Sequence, residues 1–220
     1  MVGIVIAMRE EAEGLLKKLT ETEEFTIGGK SFYKGKFRKK DVAVAVSGIG
    51  KVNAALTAQI MIDKFLPEIM VNYGSSGAIK GKAKELSYYA ADKCCQYDFD
   101  LTAIDGVPVG YIPTFDTVYF ETETDGLEFL EKRTLASSDK FTEKPADIAT
   151  VETLGCSLFD MEGGAIAQVC KANGIPLYVI KGVTDVHGEK SDPDAFNKNL
   201  KTVCEGFDGI FAKFLDEKYA

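Results

Sequence analysis

Three acids in this chain stand where buried segments give way to a turn or a helix, and together they could move protons. Glu162 lies in Phe159-Asp160-Met161-Glu162-Gly163-Gly164, where a short apolar approach becomes a helix with Ala165, Ile166, Val169 and Cys170 on one face. Unpaired amides and the positive helix end hold an acid there. Glu162 therefore reads either as a dipole-complementing acid or as a carboxylate aimed into a pocket, with Met161 as an apolar wall. Glu11 follows the apolar run Val2 to Ala7 and borders the inward stripe Met8, Ala12, Leu15, Leu16 and Leu19, whereas Glu10 and Glu13 point away. Asp185 stands just past a second apolar run, Leu177 to Ile180. A reaction through an oxocarbenium-like sugar needs a carboxylate to activate water, another to hold a hydroxyl or stabilise charge, and an acid to protonate the leaving group. Glu11, Glu162 and Asp185 can fill those places, and the sequence offers no Ser-His or Cys-His pair, metal cluster or dinucleotide fingerprint instead.

The elements that must position them follow from patterning. Val2 to Ala7 suits a strand covered on both faces, as in an α/β sheet flanked by helices. Segments 24–27, 32–37 and 42–46 read as a meander of short strands. Ser47-Gly48-Ile49-Gly50-Lys51-Val52 then turns a strand into a helix carrying Val52, Ala55, Leu56 and Ile60. Such a turn can present amides to a phosphate or sugar, but it lacks the Walker and GxGxxG patterns, and a tight turn with a helix cap is an equal reading. Glu68 to Tyr73 is a buried strand delivering Gly74-Ser75-Ser76-Gly77-Ala78, a second candidate lip, because ligands gather at the carboxyl ends of strands.

Strands are expected over 86–91 and 107–112, flanking a loop at 97–102 whose Asp98 and Asp100 have metal-ligand spacing but no third ligand. Helix is expected over 127–133, a short strand over 134–137, and a loop over 138–142 in which Phe141 is either core or a platform for an aromatic base. Residues 186–194 are polar and turn-rich and suggest a flap, with His187 solvated in it. Phe196 to Phe214 carries the spacing of a long closing helix.

With 220 residues and no linker, one domain over 1–220 is expected. The net charge of -8 disfavours nucleic acid and anionic membrane, so a small molecule is the expected partner. No run of about 18 apolar residues is present to span a bilayer. The start reads as a first strand and not as a signal peptide. Five cysteines without CxxC or His spacing indicate neither disulfides nor zinc, and buried reduced thiols in a cytoplasmic protein are expected, with no metal and no cofactor.

Six motifs carry a family resemblance. Ala7-Met8-Arg9-Glu10-Glu11, Ser47-Gly48-Ile49-Gly50-Lys51-Val52, Asn72-Tyr73-Gly74-Ser75-Ser76-Gly77, Ser138-Asp139-Lys140-Phe141, Asp160-Met161-Glu162-Gly163 and Val183-Thr184-Asp185 occur in the order and spacing of the 5'-methylthioadenosine/S-adenosylhomocysteine nucleosidases of the nucleoside phosphorylase superfamily. The match spans nearly the whole chain. It implies a three-layer phosphorylase/hydrolase-like α/β fold, a twisted mixed sheet with barrel-like curvature flanked by helices, and a homodimer with sites near the interface. It also implies hydrolysis of a purine nucleoside to free adenine and a 5-thio-substituted ribose. Glu11 looks like the base that activates water and Ser75 like a helper positioning it. Met161 and Glu162 resemble the ribose grip, and Asp185 the acid that protonates N7. Phe141 resembles the stacking ring, Thr142 a backbone reader of the base edge, and Phe196 a wall near the flap. Ile49 and Gly77, in the two glycine-rich lips, complete the substrate-binding set.

The alternatives are a phosphorylase, a nucleosidase for another 5' substituent, and a non-catalytic nucleoside-binding module. Phosphorylases of the superfamily surround phosphate with arginines. Here Asn72 stands just before the Gly-Ser-Ser-Gly loop, and Glu11 in the first turn would repel a dianion, leaving Arg9 as the nearby cation. Around the expected 5' pocket the chain reads Thr102-Ala103-Ile104-Asp105-Gly106-Val107-Pro108, where the nucleosidases tend to carry aromatic residues.

Overall fold

A computed structural model describes residues 1–187 and 193–220. From the start, β1 (Val2–Ile6) leads to α1 (Arg9–Leu16), then to β2 (Leu19–Ile27), β3 (Lys30–Phe37), β4 (Lys40–Val46), α2 (Lys51–Phe65) and the long β5 (Ile69–Ile79). The chain continues through β6 (Tyr88–Gln96), the short α3 (Thr102–Asp105), β7 (Phe120–Glu121), β8 (Glu131–Ser137), α4 (Pro145–Thr153), β9 (Leu158–Asp160), α5 (Gly163–Asn173), β10 (Leu177–His187) and α6 (Pro193–Lys218).

The strands form one mixed sheet, and β5 is its junction. Its first residues pair in parallel with β1 (Val2↔Ile69 to Val5↔Asn72), its last pair antiparallel with β9 (Gly77↔Phe159, Ala78↔Leu158), and its other edge pairs in parallel with β10 along nearly the whole length. Because β10 also pairs with β6, β6 with β8 and β8 with β9, five strands close into a barrel, while β1, β4, β3 and β2 extend the sheet outward. All five residues of β1 are buried, the outcome expected of an apolar run covered on both faces.

One face of the sheet carries α1 and α6, where Leu15, Phe207, Phe211 and Phe214 join Ile4, Ile6 and Tyr73 in one core; Tyr73 stacks on Phe207 with ring centroids 4.7 Å apart. The other carries α2 and α5, which bury Ala54, Ala58, Met61, Ile166 and Cys170 against Val5, Met70 and Val179. Six helices thus flank a mixed, partly closed sheet among the described residues, the α/β architecture expected.

Several elements differ from the patterning. Leu127 to Arg133 is not helical: Leu127 and Leu130, three apart, are placed by two successive turns (Leu127 N–H to Thr124 O, Leu130 N–H to Leu127 O), and Glu131 already begins β8. Residues 107–112 form no strand. Tyr111 N–H bonds Pro108 O, Gly110 takes φ +81, and Ile112 makes only an isolated bridge to Thr117. The first helix ends at Leu16, and Leu19 opens a β2 longer than the patterning indicated. On α2, Val52 and Leu56 are 77% and 45% exposed, while Ala54, Thr57, Ala58, Met61 and Ile62 face the core. His187 ends β10 half-buried instead of solvated, and the core of the expected flap, 188–192, lies outside the described residues.

Candidate active site

The site opens where β5 changes partners. β1 stops at Ile6 and β9 begins pairing only at Gly77, so Tyr73 to Ser76 have no strand on that edge. Backbone N–H groups left without a ladder need another acceptor. Glu11 supplies it: Ser75 N–H and Ser75 Oγ donate to Glu11 Oε1 at 2.7 and 2.8 Å, and Met8 N–H donates to Oε2 at 3.0 Å. Glu11 sits in the first turn of α1 yet is 2% exposed. Burial pushes its carboxyl above the ordinary range, against the lowering by the Ser75 amide, the Lys181 charge, the Met8 amide and the Ser75 hydroxyl.

Glu162 is the N-cap residue of α5 but makes no cap bond to its own helix. Its Oε1 accepts instead from Gly50 N–H at 2.8 Å, at the start of α2. Gly50 takes φ +100, a conformation that side chains resist, which turns that amide toward Glu162. Burial first, and the neighbouring Asp160 charge second, raise Glu162 to about 7. Asp160 accepts from Gly163 N–H at 2.9 Å and from Ser137 Oγ, and its Oδ2 pairs with Lys181 Nζ at 2.8 Å. Burial lowers the Lys181 ammonium, but the charges of Asp160, Glu162 and Glu11 outweigh it and the net shift is upward. One buried cation thus balances a nest of three carboxylates.

Asp185 reaches the same cavity through a bulge. The β5–β10 register runs from Val183↔Ser76 directly to Asp185↔Gly77, skipping Thr184, and such an extra residue re-aims the side chains beside it. Thr184 Oγ1 donates to Asp185 Oδ1 at 2.7 Å. Burial raises the Asp185 carboxyl, opposed by that hydrogen bond and reinforced by the charges of Glu85 and Glu143.

Between these groups lies a cavity of about 270 Å³. All the expected residues line it: Glu11, Ile49, Ser75, Gly77, Phe141, Thr142, Met161, Glu162, Asp185 and Phe196. Gly77 is required by close packing, since a Cβ there would lie 2.1 Å from the Phe159 ring. Phe141 is not core: it is 62% exposed at the mouth and meets Phe196 edge-on at 6.3 Å. Thr142 is buried, its Oγ1 2.7 Å from Tyr97 OH.

Two further members of the site escape the patterning, Lys181 and Asp160. The signal for Lys181 was present, a single charge continuing an apolar strand, and a buried lysine needs a partner. Asp98 and Asp100 do not converge: Asp98 takes Lys51 Nζ and Asp139 N–H, while Asp100 takes the Thr102 hydroxyl and amide. Arg9 donates to the Tyr33 hydroxyl on the exposed side of α1, outside the cavity, and Asn72 Nδ2 donates to Val5 O at 3.0 Å. Neither position therefore presents a cation to the cavity, as a phosphate dianion would need.

The sequence profile of the phosphorylase superfamily matches residues 1–216. A 5'-methylthioadenosine/S-adenosylhomocysteine nucleosidase of Marinomonas sp. (strain MWYL1) is 32% identical over 218 residues, covering 93% of this chain and 94% of the relative. Among solved structures, such a nucleosidase from Colwellia psychrerythraea in complex with adenine superposes with a TM-score of 0.89 at 29% identity, over 98% of this chain and 94% of that one. The futalosine hydrolase of Helicobacter pylori superposes with a TM-score of 0.89 at 28% identity, over 98% and 97%. Sequence and architecture agree over nearly the full length, and the chain belongs to the phosphorylase superfamily and, within it, to the 5'-methylthioadenosine/S-adenosylhomocysteine nucleosidases, a family of N-glycosyl hydrolases.

Proposed function

We propose that this protein, one domain over residues 1–220, hydrolyses 5'-methylthioadenosine and S-adenosylhomocysteine to adenine and the 5-thio-substituted ribose, with water as nucleophile. The observation that carries the reading is the buried Glu11 carboxylate, fixed by Ser75 and Met8 in a cavity shared with Glu162 and Asp185. Glu11 takes a proton from the water that attacks the anomeric carbon. Ser75 donates two hydrogen bonds to the Glu11 carboxylate, from its amide and its hydroxyl, and so helps position that water. As the C–N bond breaks, its electron pair passes to the purine and Asp185 delivers a proton to N7. Carboxyl groups raised by burial suit both tasks, since acid-base catalysts work best with pKa values near the working pH. Glu162 accepts from the ribose hydroxyls beside Met161, Phe141 stacks on the base, the Thr142 backbone reads its edge, and Phe196, Ile49 and Gly77 enclose it.

A second copy of the chain is expected to cover the mouth. Ile49, Val52, Leu56 and Phe141 are 52%, 77%, 45% and 62% exposed, and large apolar side chains gathered at a rim are a common mark of an interface. No helix of the described residues is long and apolar enough to cross a membrane. Five buried free thiols support a cytoplasmic location.

The apolar mouth and the Ile104-Asp105-Gly106 sequence favour a second reading, a nucleosidase of the same mechanism with a different 5' group. Incubation with 5'-methylthioadenosine, S-adenosylhomocysteine, futalosine, adenosine and inosine in phosphate-free buffer tests both. Release of adenine from the thio-nucleosides supports the first, and preference for futalosine the second. Release of base only when phosphate is added would overturn both.

A further inference from the structure

Glu162 and Asp139 take their hydrogen bonds from successive amides. Gly50 N–H donates to Glu162 Oε1 at 2.8 Å and Lys51 N–H to Asp139 Oδ1 at 2.7 Å. The sugar-facing carboxylate and the loop bearing the base platform are thus both moored to the start of α2, spaced by one peptide unit. Around Asp139 the contacts close into a ring. Asp139 N–H donates to Asp98 Oδ2 at 2.9 Å, and Asp98 Oδ1 accepts from Lys51 Nζ at 2.5 Å. Three segments distant in sequence, the entry to α2, the loop after β6 and the loop after β8, therefore each hold the other two. Lys51 and Asp98 have side chains only 16% and 12% exposed, so the pair is screened less than an ordinary surface bridge.

None of the three lines the cavity. Phe141 and Thr142, however, follow Asp139 by two and three residues, and Ile49 precedes Lys51 by two. On the inner side of the loop, Tyr97 OH meets Ser138 Oγ at 2.8 Å and Thr142 Oγ1 at 2.7 Å, so Tyr97 and Asp98 grip the segment from adjacent positions.

We propose that Lys51 and Asp98 are positioning residues for the base-binding wall, acting through Asp139 to hold 138–142 at a set distance from Glu162. The inference rests on the reading of the cavity as a purine nucleoside site. Opening the ring leaves the Gly50–Glu162 bond in place, so it loosens the base wall and spares the sugar grip.

Asp98→Asn turns one acceptor into a donor facing either Lys51 or the Asp139 amide. The expected result is a rise of about tenfold in the KM for 5'-methylthioadenosine and in the inhibition constant of adenine, the size of one charge-assisted hydrogen bond. Inhibition by 5-methylthioribose and kcat are expected to hold within about threefold. Lys51→Met, which keeps the backbone donor, should match Asp98→Asn, Lys51→Arg should resemble the wild type, and the double variant should be no worse than the weaker single one. Hydrogen exchange on the unliganded protein should show 138–142 opening faster in Asp98→Asn. Equal weakening of adenine and 5-methylthioribose, or unchanged adenine inhibition, would overturn the proposal. A wild-type protein that releases no adenine would instead sink the nucleosidase reading, while hydrogen exchange still decides whether the ring holds the loop.

Discussion

Lys181 Nζ lies 2.8 Å from Asp160 Oδ2 with both side chains 1% exposed, and the two residues come from strands that do not pair with each other. Breaking a buried pair leaves one charge without compensation, and that loss is large even where the intact pair contributes little net stability. Lys181→Met is therefore expected to lower unfolding free energy by about 3–5 kcal/mol, read by urea denaturation, because Asp160 keeps its burial and loses its cation. Lys181→Met with Asp160→Asn should recover part of the loss. A double variant as unstable as the single would place the damage in packing instead.

Glu11→Gln separates chemistry from binding. Gln keeps the length of Glu and an acceptor for the Ser75 donors, but it cannot take a proton from water. Turnover should fall by about 10²- to 10⁴-fold. Adenine binding by calorimetry should change little, and the melting temperature should shift only slightly, since removing a charge disfavoured by burial is offset by the loss of the acceptor facing Met8 N–H. Single-turnover adenine release close to the wild-type rate would remove Glu11 from the base role.

The parts of the site legible in the sequence were those carried by single continuous signals. Val2 to Ala7, Glu68 to Tyr73 and Leu177 to Ile180 announce buried strands; Glu11 follows the first in α1, while Ser75 and Asp185 lie farther along β5 and β10, which run on past those apolar runs to Ile79 and His187. Lys181 and Asp160 are not legible as a pair because their contact depends on barrel closure, which brings together two residues twenty-one positions apart on strands that do not pair. The 127–133 segment misleads because the spacing of Leu127 and Leu130 fits a helical turn, while the strand that follows is set by pairing with β6. On α2, Val52 and Leu56 look like core by type, but the small residues Ala54 and Ala58 are the ones packed inward, which lets the helix lie close to the sheet.

The proton on Asp185 should be tunable from outside the cavity. Burial is the main cause of its raised carboxyl, and Glu85, an exposed residue, adds to it by repulsion. An acid catalyst must hold its proton, so loss of that proton sets the alkaline limb of kcat/KM. Glu85→Gln removes a negative neighbour, lowers the Asp185 carboxyl, and should move that limb to lower pH with little change at the plateau. Glu85→Lys should move it further. A limb unmoved by either variant would argue that another group donates the proton.

The exposed apolar rim predicts an oligomer that one charge can split. Leu56→Arg on the outward face of α2 should shift the protein toward monomer in sedimentation velocity without unfolding it, since Leu56 is 45% exposed and outside the core. Wild-type protein sedimenting as a monomer at all concentrations would show that the rim serves another purpose.

Glu162 couples function to stability with opposite signs. Its carboxyl is raised from 4.5 to about 7 by burial and by Asp160, so the folded state holds the proton more tightly than the unfolded chain. The stability contributed by that proton is fully present below the unfolded value and is lost as pH rises through the folded one. Across pH 4.5 to 7 the wild type should therefore lose stability relative to Glu162→Gln, which carries no titrating group there. The difference in melting temperature should be near zero at about pH 4.5 and should favour Gln increasingly toward pH 8. Gln still accepts from Gly50 N–H, but under the proposed ribose contact it would present an uncharged amide to the sugar hydroxyls, so substrate affinity should fall as stability rises. A melting-temperature difference flat with pH would mean that Glu162 stays ionised throughout, and that Lys181 balances it more fully than Asp160 opposes it.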